Sequence, residues 1–455
     1  MSQAASAHRG SNKAEDPPGL APLNHHPAFV YIDSNDKLNR PSESFTDRPA
    51  SITAPKGRPE RQNRRQSMKT NPWRIGAALV LVAAGIGLLV LIVNNNNAGR
   101  RDFIQYWAAG RQLIHGANPY DGAALLRIER AEGYDRTEAI VSPSPPLVFL
   151  LALPLGLVSP NSGLILWLVL LLASLVASIR MLWTLQGRPA NRLHLLAYCF
   201  PPIMECLMAG QISLFILLGI VLFLYFQNSR PFLAGAALLP CALKPHLFLP
   251  FAIVLLLWAF YRKAYPVLAG FIAALVVGCA LTLLFDIHVW SQYAAMMRAS
   301  KLMELPVPTL SVVFRVLIDR TATWLQFLPE AAGSAWSLWY FWTRRDRWDW
   351  MDQGLLLLLV SATCAPYAWF SDEAVLLPAV LVGIYCADDT GRSLLPFGLI
   401  AGVAIVEVLA EIPMTSMYYL WTTPAWLGWY LYATRNNGMR AAAARSVPVE
   451  IAKPY

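Results

Sequence analysis

The sequence predicts an all-α, polytopic membrane protein with about 12 transmembrane helices, and three observations carry that prediction. Hydrophobic residues make up 56% of the 455 positions and charged residues only 14%, far from the composition of a soluble globular domain. Residues 75–93 (IGAALVLVAAGIGLLVLIV) run for nineteen positions without a charge, enough for a helix to cross roughly 30 Å of hydrocarbon. Comparable runs recur as far as residue 434.

Residues 1–72 are rich in Pro, Ser, Asn and charge and lack apolar periodicity. They read as a disordered basic cytoplasmic tail, unable to bury enough surface to offset chain entropy. The first apolar run starts too far from Met1 for a cleavable secretion signal. Residues 73–434 form the transmembrane domain, and 435–455 a second cytoplasmic tail. Of the formal charge of +9, residues 1–74 and 435–455 together supply +8. Lys56, Arg58, Arg61, Arg64, Arg65, Lys69 and Arg74 crowd the start of the first span. By the positive-inside rule both termini are cytoplasmic. The basic charge therefore reads as topology and affinity for membrane lipid, and nucleic acid is not an expected partner.

After the first span, residues 94–145 carry six arginines against six acids and read as an outer loop. Residues 147–158, broken by Pro154, are too short to cross and read as a re-entrant or tilted piece. The remaining spans are 161–183, 193–208, 211–227, 231–243, 247–260, 264–285, 323–343, 353–370, 374–387, 394–411 and 416–434. A rival reading makes 231–260 one long helix. The even count places Arg180, Arg188, Arg192, Arg230, Arg262, Lys263, Arg344, Arg345 and Arg347 on the cytoplasmic side. All six cysteines lie in apolar runs, with neither a CxxC nor a His/Cys ligand spacing. No disulfide framework, metal site or cofactor is expected.

That topology gathers polar groups on the outer face, and residues 101–121 (RDFIQYWAAGRQLIHGANPYD) open the set. Phe103, Tyr106, Trp107, Gly110, Leu113 and Ile114 fall at helical spacing, with Asp102, Gln105, Arg111 and Gln112 on the other side. This pattern reads as an amphipathic helix lying at the interface. Gly116 suits its end, and Asn118-Pro119-Tyr120-Asp121 a turn. From spacing alone, the plainer reading of Asp102 is an N-cap. Further along stand Glu205, Gly210-Gln211, Lys244-Pro245-His246 and Ser371-Asp372-Glu373. An intramembrane Lys is costly unless it faces a cavity or an anion, although a snorkelling Lys244 and a locally bonded His246 also fit. Gln211 suits a sugar hydroxyl or an interhelical bond. Glu407 and Glu411, one helical turn apart, invite a paired-acid reading.

The ordered set D-F-x-x-Y-W-x-A-G-R, N-P-Y-D, P-P, G-Q, L-K-P-H and A-P-Y-x-W-x-x-D, spread over residues 75–434, resembles glycosyltransferase family 87. These are polyprenyl-phosphate-mannose-dependent mannosyltransferases of the C-type (GT-C) fold. The resemblance implies a catalytic base at Asp102, with Lys244 as the motif lysine and Pro145-Pro146 as the proline pair. It also implies a bacterial inner (cytoplasmic) membrane enzyme whose active site faces the periplasm. The chain departs from the pattern in Ser142-Pro143-Ser144 before the proline pair and in Pro308-Thr309-Leu310-Ser311 after the large outer loop.

A lipid-phosphate donor is already activated, so the chemistry needs a base for the acceptor hydroxyl, groups to hold the departing phosphate, and exclusion of water. One carboxylate opposite the leaving group suits inversion. The expected assignments are Asp102 as general base, Lys244 and His246 on the donor phosphate, and Tyr106, Arg111, Asn118, Tyr120, Glu205, Gln211 and Asp372 as substrate-binding residues. The expected partners are a polyprenyl-phosphate-linked sugar, a glycolipid or glycan acceptor, and membrane lipid. A lipid-linked sugar flippase without bond chemistry is the alternative, and it would place ionisable groups near the bilayer midplane.

Overall fold

The computed structural model describes residues 100–134, 137–300 and 302–435. The chain divides into two units, Met1–Met68 and Lys69–Tyr455, and every described residue belongs to the second. The predicted first span at 75–93 and both tails lie outside the described residues.

Among the described residues the fold is all-helical. In chain order the α-helices are α1 (Arg100–Ile114), α2 (Gly122–Ala131), α3 (Phe149–Gly156), α4 (Pro160–Leu185), α5 (Pro201–Ala209), α6 (Ser213–Phe226), α7 (Pro231–Ala236) and α8 (Leu249–Tyr261). They continue as α9 (Tyr265–Phe285), α10 (Val289–Ala299), α11 (Leu310–Ile318), α12 (Leu328–Arg344), α13 (Gln353–Cys364), α14 (Leu377–Asp389), α15 (Leu395–Leu409) and α16 (Thr422–Thr434).

Three of the described helices are long and apolar enough to cross a membrane: α4, α9, and α14 extended backward by the 3₁₀ turn Phe370–Leu376. On α4 and α9 large apolar side chains such as Ile165, Val169, Ile272 and Val276 point outward and are exposed. A surface of that kind is the face a helix turns toward lipid acyl chains. The extended α14 is instead buried within the protein. The chain is a membrane protein.

Other predicted spans are assembled from shorter pieces, because proline and glycine interrupt them. The 193–208 span divides into a 3₁₀ turn, Leu193–Cys199, and α5, which starts at Pro201. Proline fits the first helical position, where no donor is lost. The 231–243 span likewise divides into α7 and a 3₁₀ turn, Leu239–Leu243. The break predicted between 243 and 247 is present, so the two halves of 231–260 do not form one helix.

α1 departs from the sequence expectation. Its positions 102–110 are buried throughout, Asp102 and Gln105 included. Asp102 and Gln105 turn into the protein rather than to water, while Arg111 at the far end of the same side stays exposed, and Phe103 and Tyr106 pack against Trp167 of α4. α3, the expected re-entrant piece, is short and buried and lies backbone to backbone with α1. A Cβ at Gly110 would sit 2.2 Å from the Ala152 carbonyl oxygen, and one at Gly156 2.5 Å from the Arg111 nitrogen. Only glycine permits that approach.

Beyond α1, Gly116 takes φ +67°, and the Asn118 side chain accepts from the Tyr120 amide at 2.9 Å. Asp121 then caps α2 by accepting from the Ala123 and Ala124 amides at 3.0 and 3.3 Å. The predicted turn is therefore an Asx turn followed by a helix cap.

Candidate active site

Three breaks in the helices meet at one place. The first follows α5, which ends on Gly210 in the left-handed region at φ +77°. Trp167 Nε1 donates to the Gly210 carbonyl at 2.8 Å and pins this corner. Gln211 follows, buried at 1% exposure. The second break is Lys244, between two 3₁₀ turns and ahead of Pro245. The third is the non-helical segment Ala365–Trp369 before the turn that carries Asp372. Backbone interrupted at such depth is tolerated where it lines a cavity in the protein.

From these breaks and from α1, four side chains form one hydrogen-bonded row. Gln211 Nε2 donates to Asp102 Oδ2 at 2.6 Å, and Gln211 Oε1 accepts from Lys244 Nζ at 3.3 Å. Lys244 Nζ donates to Asp372 Oδ1 at 2.5 Å. Asp372 also accepts from Ser213 Oγ at 2.7 Å and, through Oδ2, from the Trp369 amide at 3.0 Å. The Gln211 amide thus presents its donor end to a carboxylate and its acceptor end to an ammonium, the orientation that charge requires. Lys244 Nζ also lies 5.6 Å from the centre of the Trp369 ring.

Beside the row is a cavity of about 240 Å³. Gln105, Tyr106, Ser144, Pro145, Gln211, Lys244 and His246 form one part of its wall, and Tyr293, Phe327, Tyr367 and Trp369 another. Two buried polar atoms on these wall residues, Gln105 Oε1 and His246 Nε2, have no hydrogen-bond partner among the described residues, and the Tyr367 hydroxyl and Trp369 indole have at most each other. Leaving such atoms unpaired costs on the order of 1–3 kcal/mol each. A wall that collects them is suited to a polar, hydroxyl-rich ligand, and its aromatic faces to stacking.

Of the residues expected at the site, Tyr106, Gln211, Lys244 and His246 line the cavity. Asp102 and Asp372 stand one hydrogen bond behind the wall. Asp102 lies in the first turn of α1, with the helix already formed at Arg100, so it is not the N-cap that spacing suggests. Four expected substrate residues are placed elsewhere. Arg111 donates to the Gly156 carbonyl at 3.3 Å and lies over Trp107, at the α1–α3 contact. Asn118 is used in its turn. Tyr120 is buried against Phe149 and Tyr293, and its hydroxyl donates to the Ser144 carbonyl at 3.1 Å. It braces the wall without lining it. Burial raises the Tyr120 phenol well above its usual value, and Tyr293 adds to the effect. Glu205 accepts from Arg101 at 2.6 Å.

Glu407 accepts from Trp421 Nε1 at 3.2 Å, and Glu411 sits at φ +54° past the end of α15. Neither lines the cavity. Sequence reasoning did not select Ser213, Gln105, Ser144 or Tyr293. Ser213 lies two residues beyond Gln211 in the G-Q element, the one local cue available. Tyr293 arrives from α10 by tertiary folding.

Neither a curated protein nor a solved structure matches the chain. The family model described as glycosyltransferase family 87 matches residues 144–387, a segment that holds Gln211, Lys244, His246, Tyr293, Tyr367, Trp369 and Asp372 and begins beyond Asp102. With more than half of its 455 residues matched, the chain belongs to glycosyltransferase family 87 and is a membrane glycosyltransferase.

Proposed function

We propose that this protein transfers a sugar, mannose, from a polyprenyl-phosphate donor to a glycolipid or glycan acceptor, with inversion at the anomeric carbon. The reaction takes place at the periplasmic face of a bacterial cytoplasmic membrane. The fold is of the GT-C type with about twelve spans. One observation supports this reading above the others. Asp102 and Lys244, a carboxylate and an ammonium from distant parts of the chain, are joined through Gln211 at the wall of a cavity with unpartnered polar atoms.

The roles follow from charge and position. Lys244 and His246 hold the donor phosphate, and the phosphate shares the ammonium with Asp372. The charge that develops on the leaving oxygen then meets a fixed cation in a site shielded from water. Asp102 stands one hydrogen bond behind the wall, so with substrate bound one of its oxygens comes within reach of the acceptor hydroxyl and takes its proton as that oxygen attacks the anomeric carbon, and the bond to the lipid phosphate breaks. A single base opposite the leaving group gives inversion. No metal or cofactor is required, because the ammonium supplies the positive charge.

The test uses membranes containing the full chain, labelled polyprenyl-phosphate mannose, and the glycolipids of the same membranes. Wild type is expected to move label into a new lipid-soluble product, and Asp102→Asn to lose that transfer at unchanged expression. The swap keeps size and removes basicity. Transfer retained by Asp102→Asn would refute the assignment of the base. Label crossing the bilayer without any new product would favour the flippase.

A further inference from the structure

We propose that Gln211 is the positioning residue of the reaction, holding the Asp102 carboxylate and tying its placement to the Lys244 ammonium. The proposal rests on the assignment of Asp102 as base and goes beyond it, because it gives Gln211 a task other than binding a sugar hydroxyl.

The geometry is specific. Both ends of the Gln211 amide are engaged, Nε2 on Asp102 at 2.6 Å and Oε1 on Lys244 at 3.3 Å. The side chain is buried at 1% exposure. Its backbone is fixed by the left-handed Gly210 and by the Gly210 carbonyl bond to Trp167. An amide flip would turn donor toward ammonium and acceptor toward carboxylate, so the charges on either side hold one orientation. A carboxylate that works as a base must present its oxygen within hydrogen-bond reach of the hydroxyl, and a displacement near 1 Å can cost about 100-fold in rate.

Asp102 lies behind the cavity wall that Gln211 helps to form. Gln211 therefore touches both the base and the cation assigned to the phosphate, and occupancy at Lys244 is transmitted to Asp102 through a single amide. The charged and titratable groups that act on Asp102 are Arg101 and Tyr106 on α1, Glu205 on α5, and Tyr367. Lys244 and Asp372 act through the row itself.

Three variants of the full chain test the proposal, each assayed for label transfer across pH with donor concentration varied. Gln211→Met keeps length and removes both hydrogen bonds. We expect kcat to fall roughly 10–100-fold with the donor KM within about threefold. The acid limb of the kcat profile should move to higher pH, because the charged carboxylate loses a donor. Gln211→Glu sets a second carboxylate against Asp102 and should move that limb further. Gln211→Asn keeps an amide on a shorter stem and should retain more turnover than Gln211→Met. Thermal unfolding in detergent identifies the folded variants, and Gln211→Glu and Gln211→Asn carry the test if Gln211→Met does not fold.

A folded Gln211→Met with the wild-type acid limb, or with a raised donor KM and unchanged kcat, would overturn the proposal and make Gln211 a sugar ligand. Asp102→Asn in the same assay separates the two levels. Its turnover tests the base, whereas the Gln211 variants test what holds the base.

Discussion

Lys244 and Asp372 form an ion pair at 2.5 Å, although each sits at a separate interruption of the helical chain. Both are buried, and Asp372 has further support from Ser213 and the Trp369 amide. Removing one member of such a pair leaves the other charge without its partner, a change that costs about 3–5 kcal/mol. Lys244→Met and Asp372→Asn should each lower the detergent unfolding midpoint. The double variant should lose less than the sum of the two. Additive losses in that cycle would mean that the pair is not coupled.

The contact between α1 and α3 has no room for a side chain at Gly110 or Gly156. Gly110→Ala must push the two backbones apart, and this overpacking costs about 1–3 kcal/mol. Because α1 carries Asp102, the shift also moves the base. Gly110→Ala is expected to reduce both thermal stability and label transfer, while Gly122→Ala, whose added Cβ would meet the Val141 side chain at an ordinary 3.7 Å, should change neither measurably.

Tyr120 makes a pH prediction. Burial holds its phenol above the ordinary value, which is about 10 in an unfolded chain. With the folded value above the unfolded one, its contribution is complete below about pH 10 and lost as pH rises toward the folded value. Unfolding midpoints measured from pH 9 to 12 should fall for the wild type and fall less steeply for Tyr120→Phe. At neutral pH the Phe variant should lose only the bond to Ser144, about 1 kcal/mol. Parallel curves would assign the alkaline loss to other groups.

Trp369 faces both the cavity and the Lys244 ammonium. Trp369→Phe keeps a ring for stacking and gives up the indole donor, which is expected to raise the donor KM severalfold with a smaller change in kcat. Trp369→Ala should lower both transfer and stability, since it also uncovers the ion pair. Unchanged donor KM in Trp369→Phe would remove the indole from donor recognition.

Part of this arrangement was legible in residue order alone. Apolar runs of spanning length gave the membrane class, because hydrocarbon admits few alternatives to a helix. Gly210, Pro245 and the Asn118–Asp121 turn marked places where the helices stop, because φ +77°, a missing amide donor and an Asx turn are local requirements. The outward exposure of α4 and the burial of α14 were not legible, since the runs 161–183 and 374–387 both read as apolar spans. The same limit explains α1. An amphipathic pattern reports that one side is polar but not whether that side meets water or an internal cavity, and here Asp102 and Gln105 turn inward.

The residues with the chemistry, their order along the chain and the breaks that free them from regular helix were therefore determined by sequence, since each depends on a side chain or on its nearest neighbours. Which of them meet was decided by the tertiary structure. Asp102 and Gln211 are 109 positions apart and Lys244 and Asp372 128. Only the packing of α1, α5 and the interrupted segments sets those distances, and that same packing gives Arg111 to the Gly156 carbonyl and Glu205 to Arg101.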